Sequence, residues 1–285
     1  MIKIIEQIAQ SIASIFFGRN ADHGSGVFQR VSAALFLVAC CLVVPLHADS
    51  DTKNSKIRVA LFLDKGAHPR NNLRVALETA SDMTLTTLDG ELIREGDLKN
   101  FDVLVVPGGS AKRESFSMKA EGRLEVRRFV HEGGLYMGIC AGCYLITEAK
   151  STDIGLLPLT TRDKHHWERG KGHLSVELTP LGMEVFGTTQ SHWSILYHNG
   201  PVIDASHVTP ESTFSPLGYY RSELVKPGGI PGLMVNSPAM FMGRFGKGRV
   251  IGISPHPEAS PEQVFMELNA IRWLYRTQTL SQKEG

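Results

Sequence analysis

Three short stretches of this chain hold residue types that can do nucleophilic chemistry. The first is Gly138-Ile139-Cys140-Ala141-Gly142. Leu135–Ile139 before it reads as a buried strand and Ala141–Ala149 after it as a helix, so Cys140 stands where strand turns into helix. Glycines flanking such an elbow have a steric reason. The nucleophile takes a strained backbone conformation, and a side chain on either side would meet neighbouring backbone. A helix N-terminus aimed at the sulfur favours a thiolate. The plain alternative is a buried cysteine in a glycine-rich turn.

The second stretch is Pro107-Gly108-Gly109, which stops the apolar run Asp102–Val106. Parallel strands end at one sheet edge, so this turn can lie beside the elbow. The backbone N–H groups of Gly108 and Gly109, with that of Ala141, would then form an oxyanion hole. Otherwise this is an ordinary tight turn. The third is Ser254-Pro255-His256-Pro257-Glu258, beyond the last apolar strand. In an extended segment, residues two apart point the same way, so Glu258 can orient a His256 ring that faces Cys140. A carboxylate holding a histidine that activates a thiol is the logic of a catalytic triad. Alone, the motif is a surface loop; the three stretches together are far more specific.

Other groups need weighing. Cys140 and Cys143 form a CxxC, a spacing that permits a disulfide and thiol exchange. The alternative is that Cys143 packs beneath the elbow helix. His165, His166 and His173 cluster in one polar stretch, but their spacing matches no zinc ligand set and no cysteine joins them. We expect a solvated loop there, no metal and no cofactor. Tyr197, His198 and Asn199 follow a strand-like run and are candidates for the wall of a substrate pocket, with a structural turn as the default.

The elements that must position these groups can be read from hydropathy. Ile57–Leu63, Met83–Leu88, Asp102–Val106 and Leu135–Ile139 read as strands. Residues 70–81 and 118–132 have helical spacing between them, the second with Leu124, Phe129 and Val130 as its apolar stripe. This alternation implies a parallel sheet with helices on both faces. After residue 150 short strand-like runs take over, at 173–179, 193–198, 217–224, 232–236, 239–245 and 249–254, the last two joined by a turn at Gly246-Lys247-Gly248. A closing helix is predicted over 261–276.

Composition excludes several classes. The chain has 285 residues, net charge +1 and 42% apolar content, so it is neither disordered nor basic enough to suggest nucleic acid. Four cysteines make no disulfide scaffold. Residues 31–46 are uncharged, short for a spanning helix and suited to a signal-peptide core. We expect residues 1–48 to be a leader cut after Ala48 or an N-terminal anchor, and 49–285 to be one exported domain, periplasmic or secreted. Leu37-Val38-Ala39-Cys40 also resembles a lipoprotein box, although the apolar residues beyond Cys40 count against it.

The segments LVVPGG, GICAGCYL and GKGRVIGISPHPE, in that order, resemble the class I glutamine amidotransferase-like superfamily. The nearest branch is similar to the N-terminal domain of yeast-type biotin–protein ligases, and the likeness spans about residues 57–276. It implies an α/β, flavodoxin-like three-layer sandwich with a mostly parallel sheet. It also implies Cys140 as nucleophile, His256 as base and Glu258 as its orienter. The branch name implies no biotin chemistry. An exported chain would lack the synthase that an amidotransferase feeds with ammonia. The expectation is therefore a hydrolase of an amide or γ-glutamyl-like bond in a small molecule or peptide. The alternatives are a ligand- or partner-binding domain and a thiol redox protein.

Overall fold

The computed structural model describes residues 56–162, 167–206, 208 and 213–283. The apolar run at 31–46, Cys40, His165 and His166 lie outside the described residues. None of the described helices is long and apolar enough to cross a membrane.

The first half builds as its hydropathy predicts. Strand β1 (Ile57–Phe62) leads to α1 (Asn71–Thr79), β2 (Met83–Leu88) and a short α2 (Gly90–Arg94). Then come β3 (Val103–Val106), α3 (Ala111–His131), β4 (Leu135–Ile139) and α4 (Ala141–Ile146). The second half adds β5 (Thr160–Thr161), β6 (Lys171–Leu178), α5 (Pro180–Phe186), β7 (His192–His198) and β8 (Ile203–Asp204). Strands β9 (Ser215–Tyr220), β10 (Pro238–Phe245) and β11 (Gly248–Ile253) follow, and α6 (Phe265–Lys283) closes the domain.

Nine strands form one sheet in the order β2-β1-β3-β4-β11-β10-β9-β6-β7, and β5 pairs with β8 apart from it. From β2 to β11 every pairing is parallel; from β11 to β7 every pairing is antiparallel. Seven strands thus run in one direction and only β10 and β6 oppose them. Side chains alternate across the sheet into two cores. Val59, Leu61, Val103, Val105 and Ile251 join α1, α5 and α6 on one face; Ala60, Phe62, Leu104, Val106 and Val250 join α2, α3 and α4 on the other. Each fully buried leucine or valine contributes roughly 1.5–3 kcal/mol by leaving water. The result is the mixed α/β sandwich expected.

Some details differ from the sequence reading. Helix α3 starts earlier, and its buried face is Gly122, Val126 and Val130, four residues apart; Leu124 is 64% exposed. Lys119 interrupts that helix with φ 59° and ψ −176°, which resets the face. Residues 232–236 form no strand. Gly232 (φ 80°) and Asn236 (φ 65°) turn the chain at both ends, and only Met234 is fully buried. Helix α4 ends at Ile146, and α6 begins only at Phe265.

Candidate active site

Strand β4 lies between β3 and β11, with Val106 beside Gly138 and Ile253 beside Ile139. The three segments singled out above therefore leave the sheet at one edge, on adjacent strands. Cys140 follows β4 at the start of α4 with φ 49° and ψ −95°. A non-glycine residue holds such a conformation only where its surroundings enforce it. Here Cys140 N–H donates to Ile253 O at 2.8 Å, and its carbonyl accepts the N–H groups of Cys143 and Tyr144. A Cβ on Gly138 would stand 2.3 Å from Gly142 O, and one on Gly142 2.2 Å from Val106 O. Both distances are impossible, which is the steric reason the elbow is flanked by glycine.

The Pro107-Gly108-Gly109 turn is tied to the elbow by Gly142 N–H donating to Pro107 O at 3.2 Å. His68 N–H donates to Gly108 O and Ser110 N–H to Gly66 O, which brace the turn from β1's side. Among the described residues no backbone bond outside regular elements uses the N–H of Gly108, Gly109 or Ala141 as donor. A Cβ on Gly108 would lie 2.8 Å from His256 Cε1 and 3.5 Å from Cys140 Cβ. Only a glycine lets the histidine ring and the elbow close together there.

His256 leaves β11 with its N–H donating to Leu196 O at 2.7 Å. Its Nδ1 is 2.7 Å from Glu258 Oε1. The segment is not extended, as the sequence reading assumed. Pro257–Ala259 is a single 3₁₀ turn, and that turn folds Glu258 back onto the ring. His256 and Glu258 are both buried, 5% and 1% exposed. Burial lowers the pKa of His256, but hydrogen bonds to Cys140 and Glu258 and their charges outweigh it and hold it up at about 9.

A cavity of about 790 Å³ opens over these groups, lined among others by Cys140, Ala141, Gly108, Gly109, His198, Asn199 and His256. Tyr197 does not line it. It is fully buried on the opposite side of β7, and its hydroxyl donates to Gly200 O at 2.7 Å. It braces the turn that presents His198 and Asn199 rather than forming the wall itself. Asn199 (φ 54°) is held in that turn by accepting Gly170 N–H and by Tyr144 OH donating to its carbonyl. Cys140 Sγ lies 3.5 Å from His198 O.

A model of the N-terminal region of biotin–protein ligase matches residues 67–155, which include the Gly108-Gly109 turn and the elbow. Among curated relatives, the phosphoribosylformylglycinamidine synthase subunit PurQ of Symbiobacterium thermophilum is 31% identical over 183 residues, covering 59% of this chain and 74% of that protein. The chain belongs to the class I glutamine amidotransferase-like superfamily. The PurQ subunit of Synechococcus elongatus is similar at 28% identity, covering 60% of this chain and 76% of that protein. The PurLQS structure from Thermotoga maritima has the same fold, with TM-score 0.55 and 14% identity over 77% of this chain and 99% of that one. Membership supports amide hydrolysis in general.

Within this amidotransferase-like domain, Cys140 and Cys143 are both free thiols. Cys143 is fully buried in the core of the α3 face, whereas Cys140 packs with the other core. Burial first, then the neighbouring Cys140, pushes the Cys143 thiol well up. Its surroundings are those of a packing residue, not of an exchange partner. His173 is exposed on β6, and no group of three metal-ligating side chains occurs among the described residues.

Two residues at the site escaped the sequence reading. Arg70 Nε lies 3.6 Å from Glu258 Oε1. Glu267 is fully buried, and its Oε1 accepts Glu258 N–H at 2.9 Å. Burial, reinforced by the Glu258 charge, pushes the Glu267 carboxyl well above the usual range, which favours its neutral form. A signal for Glu267 existed: it shares a helical face with Ile271 and Leu274, where an acidic residue is out of place.

Proposed function

We propose that the chain is a cysteine-dependent hydrolase of an amide or γ-glutamyl-like bond, with Cys140 as nucleophile, His256 as proton carrier and Glu258 as its orienter. One arrangement carries this reading. An elbow cysteine and a histidine, the latter held by a buried glutamate at 2.7 Å, face one cavity under a glycine turn with uncommitted N–H groups. Each is the group that acyl transfer needs at that place.

The steps follow from where the proton sits. His256 holds a proton at neutral pH, and a protonated histidine beside Cys140 favours the thiolate, the form that attacks. The Sγ–C bond forms, and the carbonyl oxygen takes the negative charge against the N–H groups of Gly108, Gly109 and Ala141. As the C–N bond breaks, His256 gives its proton to the leaving amine. Water then gives one proton to His256 as its oxygen attacks the thioester; the Sγ–C bond breaks, Cys140 leaves as the thiolate beside the protonated ring, and the acid formed passes its remaining proton to the released amine and leaves as the carboxylate.

The curated relatives are named as synthase subunits. In this chain the uncharged run 31–46 between Arg30 and Asp49 favours export, and an exported enzyme would act on its own amide substrate without a synthase. N-terminal sequencing of protein isolated from its source should then start near Asp49. The test of the activity is ammonia or amine release from a panel of carboxamides and γ-glutamyl amides. Full release by a folded Cys140→Ala variant would end the hydrolase reading and favour a binding domain that kept the triad.

A further inference from the structure

The cavity over Cys140 is larger than its chemistry requires and unbalanced in charge. About 790 Å³ is the size of a pocket for a drug-sized ligand, well beyond the body of a free amino acid. Its described lining includes Arg70, Lys112 and Lys150 but no aspartate or glutamate. This bias is local, because the whole chain carries a net charge of only +1. Glu258 takes up part of the Arg70 charge at 3.6 Å. Lys112 and Lys150 are exposed and make no ion pair within 4 Å among the described residues; Lys112 Nζ stands 5.6 Å from the Phe116 ring, and Asp153 offsets part of the Lys150 charge. Three positive side chains over one concave surface make a positive potential inside it.

Two further features have the same sense. Ser110 and Ala111, at the start of α3, line the cavity, and the Ser110 side chain makes no capping bond there. The first-turn N–H groups therefore add their partial positive charge. Glu114, the acidic residue in that turn, is buried and unpartnered, and burial pushes it up to about 9, so it is neutral and cancels nothing. Trp167, 48% exposed, gives the cavity a flat apolar wall.

We propose that this site takes an acidic amide: a carboxamide on a body longer than free glutamine, whose additional carboxylate lies against Lys112 and Lys150 while its stem rests on Trp167. The inference rests on the hydrolase reading for the position of the scissile amide, and on the cavity's own charge and size for the rest.

The test separates the two. Binding is measured by calorimetry on the full chain carrying Cys140→Ala, so turnover is not needed. The probes are N-acetyl-Gln-Glu and its dimethyl ester, which share a body and differ in charge. Two exposed ion pairs predict that the acid binds roughly two- to thirtyfold tighter at low salt. The preference should shrink as salt rises. In the Lys112→Glu/Lys150→Glu variant, whose changes lie on exposed side chains, the preference should vanish or reverse. Equal affinities, no binding of the acid, or a preference that survives charge reversal overturns the proposal. Ammonia release from both probes with equal KM would overturn it and leave the hydrolase standing. Tight binding of the acid without any ammonia release in the unsubstituted protein would do the opposite.

Discussion

The carboxylate of Glu258, which holds His256 Nδ1 at 2.7 Å, belongs to a residue whose own backbone N–H is held by the carboxyl of Glu267 at 2.9 Å. Both carboxyls are buried, and two adjacent buried carboxylates cannot both ionise cheaply. Burial, with the Glu258 charge beside it, pushes the Glu267 carboxyl well up, which favours its protonated form. In that form Glu267 fixes the 3₁₀ turn without adding a negative charge near the histidine.

This gives a prediction for Glu267. Glu267→Gln keeps an acceptor for Glu258 N–H and keeps the neutral charge, so the pH profile of kcat/KM should not move. Glu267→Ala leaves a buried N–H unpaired, which costs about 1–3 kcal/mol of stability. Its kcat/KM should fall through misplacement of Glu258. A shift of the alkaline limb in Glu267→Gln would show that Glu267 is ionised and refute this account.

The two thiols should differ sharply in reactivity. Cys140 faces the cavity and the histidine, while Cys143 is fully buried with its thiol pushed up. Iodoacetamide at neutral pH should label Cys140 at least about a hundredfold faster, because only thiolate reacts. Mass spectrometry of the labelled peptides checks this. Equal rates would remove Cys140 as the nucleophile.

Much of this site could be read in the sequence because its parts are glycines, a cysteine and a histidine at element ends. Such positions are marked by composition: Gly138, Gly142 and Gly108 are where a Cβ meets backbone or ring atoms. Strands β1, β3 and β4 were legible because strands buried on both faces are near-continuous apolar runs, and the edge strand β2 because its residues alternate. The second half was harder. Helix α5 was missed although Thr179 caps it, Pro180 opens it and Gly187 closes it with φ 66°. At seven residues it is too short to show a period. Tyr197 was misassigned because proximity in sequence to His198 says nothing about which side of a strand a ring takes. Arg70 and Glu267 stand 188 and 9 residues away in sequence from Glu258, their neighbour at the site, and only the fold joins them.

Glu114 offers a stability test outside the catalytic groups. Its carboxyl is fully buried with both oxygens unpartnered and is pushed up to about 9 by burial. The unfolded chain releases that proton near the ordinary value of about 4.3. The folded state therefore binds more protons between these values, and stability falls as pH rises from about 4.5 to about 9. Glu114→Gln removes this dependence. Relative to the unsubstituted protein, the variant should gain more than about 1 kcal/mol for each pH unit in that window. Urea unfolding at pH 6, 7 and 8 measures it; a constant difference across the three would show that Glu114 is not neutral in the fold.

The last prediction concerns the proton on His256. Burial lowers its pKa, while the bonds to Cys140 and Glu258 and their charges raise it, to about 9 in balance. In the proposed mechanism that proton goes to the leaving amine, so it must be present when the C–N bond breaks. The rate should therefore hold through neutral pH and fall as pH rises through about 9. Glu258→Gln removes a negative charge and the acceptor that the ring's Nδ1–H needs. Burial then dominates, and the alkaline limb should move to lower pH, with kcat reduced on the order of 10²–10⁴ through loss of the correct ring orientation. Cys140→Ala and His256→Ala should each abolish turnover, and the double variant should be little worse than either, because groups acting as one unit are not additive. The same shift acts on stability: a raised histidine pKa contributes fully below about 6.5, and the contribution is lost as pH rises through about 9. A pH–rate profile of the unsubstituted protein and of Glu258→Gln, each checked for folding by circular dichroism, decides the matter. An alkaline limb that stays in place when Glu258 loses its charge would mean that His256 does not carry the proton that reaches the leaving group.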